Sequence, residues 1–456
     1  MATCEKALFD IHWKKPVSEA PKSWHIWLNQ PLTKNPLEES LGFPDGTLHI
    51  IDEAFQAGLN RRTGWDLSQI SPMNLSSYCT AAKVYKRGVT TRGHSEELNS
   101  KKPVSGSYPI CILDAHSDFT DPAENHFVVT DRRVMRSWPM IEDSVDISLT
   151  QVSEFKKSFT TVAEILEAWR SQGKPSQWTI IGGGITTDLG AFAASLVGAE
   201  VTLVPTSLLA MVDACTGGKS GANLEKWGKN QVGAFHFPKQ VVIWPRWLET
   251  VPNFKDGAAE CLKHAFLKGD KQLALQVVQA ITSKDIQAIL SLLESLIKVK
   301  ADVVTQDPFE QGVRAALNLG HTLAHGLETV SSLTDGPVLS HNDAVAIGLV
   351  YMAVLSNTLE LLSDKDSDFI FSTLEKSGCL MAKEQLSYHL GDLDPILCWG
   401  QILQHIKHDK KRHIAGPLQS EWILLKKLGE LTEPLLTIVD DTVAKAAFEE
   451  MLLALS

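Results

Sequence analysis

The chain has 456 residues, 44% of them hydrophobic and 21% charged, and a formal net charge of −11. That length and apolar content suit two or three domains with sizeable cores, and the acidic balance argues against nucleic acid or anionic membranes as partners. No apolar run is long enough to span a membrane and no signal-peptide pattern opens the chain. The seven cysteines (Cys4, Cys79, Cys111, Cys215, Cys261, Cys379, Cys398) lack paired-motif spacing, so reduced thiols in a cytoplasmic protein are expected.

Residues 1–105 read as an N-terminal extension of unknown role. They hold scattered Pro, Trp and Asn and end in the polar run "KRGVTTRGHSEELNSKKPVSGS" at 86–107, which has linker composition. Residues 106–250 read as an α/β domain with a parallel, Rossmann-like sheet. "FVVTD" (127–131) is a buried strand, "TVAEILEAWRSQ" (161–172) a helix, "WTIIGGG" (178–184) a strand running into glycines, "ITTDLGAFAASLVG" (185–198) a helix and "EVTLVPTS" (200–207) another buried strand. Residues 251–456 read as an all-helical domain, from the spacing in "QLALQVVQAI", "IQAILSLLESLIKVKADVV", "AVAIGLVYMAVLSNTLELL" and "TVAKAAFEEMLLAL".

The glycine turn lets a backbone approach a phosphate, and the helix after it offers free N–H groups. It lacks the GxGxxG fingerprint, so a plain strand–helix turn fits equally well. Asp188, in the first helical turn, is a cap or a ligand contact. "VPTSLLAMVDACTGGKSGAN" (204–223) sets Asp213 and Lys219 around a second glycine pair, and "GKNQVGAF" (228–235) adds Lys229 and Asn230. In "GAAECLKHAFLKG" (257–269), Glu260 and Lys263 share one face of a helix with apolar neighbours. They are a solvated pair, or a buried carboxylate that needs a cation or a metal.

"KADVVTQDPFEQGVRAALNLGHTLAHGLE" (300–328) carries Lys300, Arg314, Asn318, His321 and His325. Helical spacing places Arg314, Asn318, His321 and His325 on one face, with Glu328 beyond. Such a polar stripe needs partners of the kind a ligand-filled cleft supplies. His321 and His325 alone would suit a two-histidine metal clamp. His341 opens a further helix; alone it reads as a cap or surface residue, but with Glu260 and His321 it completes a Glu–His–His set of catalytic-zinc type.

Taken together, "GSYPI", "FVVTD", "SEFKKS", "IIGGGITTDLGAFAA", "VPTSLLAMVDACTGGKSGAN", "GKNQVGAF", "GAAECLKHAFL", "RAALNLGHTLAHGLE", "HNDAVAIGL" and "HDKKR" resemble the 3-dehydroquinate synthase family of sugar phosphate cyclases. The resemblance spans roughly residues 106–430. It implies a lyase dependent on NAD and on zinc (or cobalt), acting on a small sugar phosphate in the shikimate pathway as a homodimer. In that chemistry a transient oxidation acidifies a neighbouring C–H, phosphate leaves, the ketone is reduced again, and an aldol closure follows.

The resemblance also implies roles by position. Glu260, His321 and His341 match the metal ligands. Lys219, Lys300 and Arg314 match the group that binds the substrate carboxylate. Asn230, Lys263, Asn318, His325 and Lys410 or Lys411 match the phosphate end. Asp131, Glu154, Lys157, Gly183, Gly184, Asp188, Thr206, Ser207 and Lys229 match NAD contacts, and Asp213 matches an acid between cofactor and substrate. The chain departs from the family pattern in "SLVGAEVTLVPT", which lacks the usual Arg–Gly pair, in the shortened "LETVPNFKDGAAE", in "GAFHFP", where His236 stands in place of a frequent glutamine, and in residues 1–105. Valiolone-forming cyclases tend to replace the positions of Asn318 and His325, both kept here. An aminodehydroquinate synthase would look nearly the same. A metal-dependent alcohol dehydrogenase shares the architecture, and a catalytically silent homologue acting as a binding partner is the remaining class.

Overall fold

The computed structural model describes residues 9–14, 26–28, 105–113, 126–224, 228–251, 253–409, 416 and 418–456. They fall into two compact units, Met1–Val251 and Pro252–Ser456. Among the described residues no helix is long and apolar enough to cross a membrane.

The first unit runs β1 (Phe9–Lys14), β2 (Ile26–Leu28), β3 (Ser105–Ile112), β4 (His126–Asp131), α1 (Arg132–Ser137), β5 (Ile147–Leu149), α2 (Phe159–Ser171), β6 (Gln177–Gly182) and α3 (Gly184–Val197). It continues through β7 (Glu200–Pro205), β8 (Lys219–Leu224), β9 (Gly228–Phe235) and β10 (Gln240–Ile243). A seven-stranded sheet has the order β1-β3-β10-β7-β6-β4-β5. All strands from β3 to β5 in that order run parallel. Continuous apolar runs suit strands covered on both faces, and Val128, Val129, Ile180, Ile181, Val201 and Val204 are all buried. Glycine lets α3 lie flat on this sheet, since a Cβ at Gly190 would stand 2.7 Å from Ile180 Cδ1.

β4 and β6 are neighbours, but the chain leaves β4 towards β5 and leaves β6 towards β7. Such a reversal opens a crevice at the carboxyl ends of the two strands, the usual ligand position in a parallel sheet. Those ends carry Asp131 and the Gly182–Gly184 turn.

Two pieces of the 1–105 segment, read from sequence as an N-terminal extension, pair with strands of this unit. β1 adds an antiparallel edge to β3, and β2 pairs with β9 in the three-stranded sheet β2-β9-β8. The linker reading of 86–107 falls, up to residue 104, outside the described residues. The expectation of reduced thiols is met at Cys215, Cys261, Cys379 and Cys398 and corrected at Cys111, which is disulfide-bonded.

The second unit is helical: α4 (Ala258–Lys268), α5 (Lys271–Ser283), α6 (Ile286–Gln306), α7 (His321–Ser332), α8 (His341–Thr358), α9 (Asp364–Lys376), α10 (Lys383–His389) and α11 (Pro395–Asp409). It adds β11 (Gln419–Trp422), β12 (Leu425–Lys427), β13 (Glu430–Leu431), β14 (Thr437–Asp440) and α12 (Asp441–Ala454). The four strands form two ribbons, β11–β14 and β12–β13. α8 is apolar nearly all round and is the central element, packed on α4, α7, α9 and α12.

The polar stripe from Arg314 to His325 is not one continuous helix. Val313–Asn318 is a short 3₁₀ turn, and Gly320 adopts a left-handed φ of 76° before α7 starts at His321. The break lets Gly320 press against α8. A Cβ on Gly348 would stand 2.0 Å from the Gly320 carbonyl oxygen, so the two glycines set how closely α7 approaches α8. Gly348→Ala should therefore cost about 1–3 kcal/mol by overpacking and push the start of α7 away from α8. Denaturant unfolding of the full chain checks this; unchanged stability would refute it.

Candidate active site

Three helices of the second unit bring their first turns together. Glu260 is the third residue of α4, His321 the first of α7 and His341 the first of α8. The side chain of Asn342, next to His341, holds the arrangement. It is buried, and its Oδ1 accepts from Gly257 N at 3.1 Å and Ala259 N at 3.0 Å, capping α4 from α8. Ligand atoms of Glu260, His321 and His341 lie within 4.8 Å of one another.

The Glu260 carboxylate is 0% exposed. Its Oε1 faces His321 Nε2 at 3.1 Å and His341 Nε2 at 3.7 Å. Its Oε2 is paired with the Lys263 ammonium, which also donates to the Leu317 carbonyl at 2.8 Å. The far nitrogens are engaged too. His321 Nδ1 lies 3.1 Å from the Leu319 carbonyl, and His341 Nδ1 lies 3.3 Å from Glu328 Oε1.

Charge follows from this geometry. Burial opposes ionisation of Glu260, yet Lys263 and His321 hold its carboxyl well below the usual range. Burial, helped by the Lys263 charge, draws His321 below its ordinary value. Burial works the same way on His341, but Glu328 and Glu260 outweigh it and push this imidazole up to about 10.

These residues fit a divalent metal. Neither Glu260 oxygen accepts a hydrogen bond of good geometry, although an ammonium and two imidazoles crowd against them. Buried polar atoms in that state are uncommon, and one carboxylate with two imidazoles is an open catalytic zinc set. His325, one turn along α7, stacks edge-on to His321 with ring centroids 5.5 Å apart, and it is not part of the ligand cluster.

Arg314 and Asn318 are set by the preceding loop. The Asp307 carboxylate accepts from the N–H groups of Gln311, Gly312 and Arg314 at 2.7–3.0 Å, while Arg314 Nη1 donates to the Pro308 carbonyl. Asn318 Nδ2 donates to Glu310 Oε1 at 3.3 Å, and Glu310 has a left-handed φ of 55°. Lys300 is buried on α6. Lys410 and Lys411 lie outside the described residues.

In the first unit, Lys157 Nζ donates to Asp188 Oδ2 at 2.6 Å and to Asn230 Oδ1 at 2.7 Å. Asn230, matched from sequence to the phosphate end, thus joins residues matched to the cofactor. Asn223 ties the same group together. Its Nδ2 donates to the Glu154 carbonyl and Oε1, its Oδ1 accepts from Asn230 N, and its N–H donates to the Lys157 carbonyl. Asn230 is held at a left-handed φ of 49°.

Asp131 caps α1 and also accepts from Thr186 Oγ1 at 3.0 Å. Thr206 and Ser207 flank the glycine turn. Thr206 N donates to the Gly182 carbonyl, and Ser207 Oγ would be 3.5 Å from a Cβ on Gly183. Gly182 is required by packing, since its Cβ would stand 2.5 Å from Thr186. Gly183 is not, so its bare backbone at the N-terminus of α3 fits an approaching phosphate. Lys219 opens β8 opposite Phe235, Asp213 lies in the π-helical turn Ala210–Ala214, and the Lys229 side chain is outside the described residues. Two departures noted in the sequence meet: His236 Nε2 lies 2.8 Å from the carbonyl of Ala199 in the shortened turn after α3.

Residues 147–256 match the family model of the 3-dehydroquinate synthase N-terminal region, and 257–412 that of the C-terminal region. Similar proteins named 3-dehydroquinate synthase include one from Acidithiobacillus ferrooxidans, 34% identical over 60% of this chain and 73% of that one. Another, from Cyanothece sp., is 37% identical over 62% of this chain and 75% of that one. The chain belongs to the 3-dehydroquinate synthase family.

Two solved structures share the fold at 20% identity. One is a 2-epi-5-epi-valiolone synthase from Streptomyces hygroscopicus with NAD⁺ and Zn²⁺, with a TM-score of 0.62 over 80% of this chain and 100% of that one. The other is a 2-deoxy-scyllo-inosose synthase with carbaglucose-6-phosphate, NAD⁺ and Co²⁺, with a TM-score of 0.57 over 76% of this chain and 97% of that one.

Proposed function

We propose that this member of the 3-dehydroquinate synthase family converts 3-deoxy-D-arabino-heptulosonate 7-phosphate into 3-dehydroquinate and phosphate. The observation that carries the reading is the buried Glu260–His321–His341 cluster with Lys263 beside it, in a chain of this family. NAD supplies reversible hydride transfer and zinc polarises the substrate hydroxyls when the two are bound.

Glu260, His321 and His341 would hold the metal. Gly183 and Gly184 at the start of α3, with Asp131, Glu154, Lys157, Asp188, Thr206, Ser207 and Lys229, would hold the dinucleotide. Lys157 fixes Asp188 and Asn230 by direct bonds, so that group is ordered before ligand arrives. Lys219, Lys300 and Arg314 bind the substrate carboxylate, where a planar guanidinium suits a planar anion. Lys263, Asn318, His325 and Lys410 or Lys411 serve the phosphate end, and Asp213 sits between cofactor and substrate.

The test is phosphate release by purified protein with NAD⁺ and zinc. Turnover of the heptulosonate phosphate, but not of sedoheptulose 7-phosphate, is expected. The reverse preference would point to a valiolone-forming enzyme. No turnover of either by protein loaded with both cofactors would favour a silent homologue or a different substrate.

A further inference from the structure

We propose that Glu328 is a positioning residue that aims His341 at the metal; this rests on Glu260, His321 and His341 being the ligands. Glu328 lies two turns along α7 from His321, on the same face, and is 3% exposed. Its Oε1 is 3.3 Å from His341 Nδ1, the ring nitrogen away from Glu260. It is not one of the three clustered ligand residues, so it acts on the imidazole and not on an ion.

Each neutral imidazole has one N–H and one bare nitrogen, and the partner of the N–H decides which nitrogen is bare. In His321 the Leu319 carbonyl can only accept, so the proton belongs on Nδ1 and Nε2 is left facing Glu260. A carboxylate also only accepts. When an ion displaces one proton from His341, Glu328 therefore keeps the other on Nδ1 and leaves Nε2, the nitrogen nearer Glu260, to the ion.

The two histidines differ in how much help they need. The His321 side chain is 10% exposed, whereas that of His341 is 32% exposed. His341 opens α8 with one side towards solvent, so fewer neighbours fix its ring and the Glu328 contact counts for more. α7 thus supplies one ligand from its first residue and the aiming group for a second ligand two turns later. The sequence signal is the i, i+7 relation of His321 and Glu328.

The experiment measures zinc affinity of the full chain by competition with a chromophoric chelator. Glu328→Leu should weaken zinc binding by about 10- to 100-fold. Glu328→Gln keeps an acceptor oxygen of the same reach, so it should bind closer to wild type than to Glu328→Leu. Long-range ¹H–¹⁵N spectra of the zinc-loaded wild type should show His341 protonated on Nδ1 and coordinating through Nε2. Loss of packing alone would alter folding without placing the proton and would not be rescued by Glu328→Gln.

Wild-type affinity in folded Glu328→Leu, equal losses in Glu328→Leu and Glu328→Gln, or Nδ1 coordination by His341 would each overturn the assignment. If Glu328→Leu does not fold, the Glu328→Gln affinity and the wild-type spectra still decide it. Failure of the underlying reading looks different, because wild type and His321→Ala would then bind zinc equally or not at all.

Discussion

His321→Ala will lose stoichiometric zinc on gel filtration and will lower turnover on the order of 10³-fold or more, whereas His325→Ala will keep its zinc. The two residues are one turn apart with rings in contact, and spacing alone makes them a plausible metal clamp. The structure separates them. His321 Nε2 faces Glu260 Oε1 at 3.1 Å with its Nδ1 on the Leu319 carbonyl. Removing it would delete one of the three proposed ligands, and with it a Lewis acid worth several kcal/mol at the transition state. His325 contributes no atom to the cluster. Its loss should remove a hydrogen bond to a charged group, about 1.5–3 kcal/mol, or roughly 10- to 100-fold in turnover. Zinc content by atomic absorption, beside steady-state kinetics, reads both effects. Equal zinc loss in the two variants would refute this division of labour.

Much of the fold is visible in the sequence because its signals are local. The strands ending at Asp131, Gly182 and Pro205 are apolar runs stopped by an acid, a glycine turn and a proline, and the helices after Pro252 carry their period openly. The site's outer supports are less legible because they depend on tertiary approach. Asn342 is one polar residue in a helix start until α4 lies beside α8 and offers it two N–H groups. Asn223 reads as the end of a glycine-rich strand, yet it joins the 154–157 segment to Asn230. The break at Gly320 could be suspected from "LGH", but the reason for it, backbone contact with Gly348, lies 28 residues on. β1 and β2 sit in a stretch whose composition conceals them. Each pairs with a strand far along the chain, and that pairing rather than local propensity makes them strands.

The same geometry explains why Glu260 stays charged while fully buried. It lies in the first turn of α4, and α7 and α8 also point their N-termini into the cluster, so three helix dipoles favour a negative charge there. Lys263 adds a full positive charge on Oε2. The two carboxylate oxygens are thus divided, one taken by the lysine and the other turned to the imidazoles. That division would let the ion pair and a bound metal share one side chain.

Lys263→Met should be the most destabilising of these changes in metal-free protein. Methionine nearly matches the volume of the lysine stem, so the change isolates charge from packing. Lys263 is 1% exposed and Glu260 is 0% exposed, so removing the ammonium leaves a buried carboxylate with no cation on its Oε2. Breaking a buried pair in this way costs about 3–5 kcal/mol. The orphaned Leu317 carbonyl adds to the loss. Two further measurements tie the effect to charge. The double variant Lys263→Met, Glu260→Gln should recover much of the lost stability, because an amide is cheaper to bury than an unpaired anion. Zinc should stabilise Lys263→Met more than wild type, because the ion then supplies the missing positive charge, and by linkage zinc must bind Lys263→Met more tightly. Urea unfolding of the second unit's helices, with chelator and with saturating zinc, reads all of these. A metal-free Lys263→Met protein as stable as wild type would show that the Glu260–Lys263 pair does not hold the centre together.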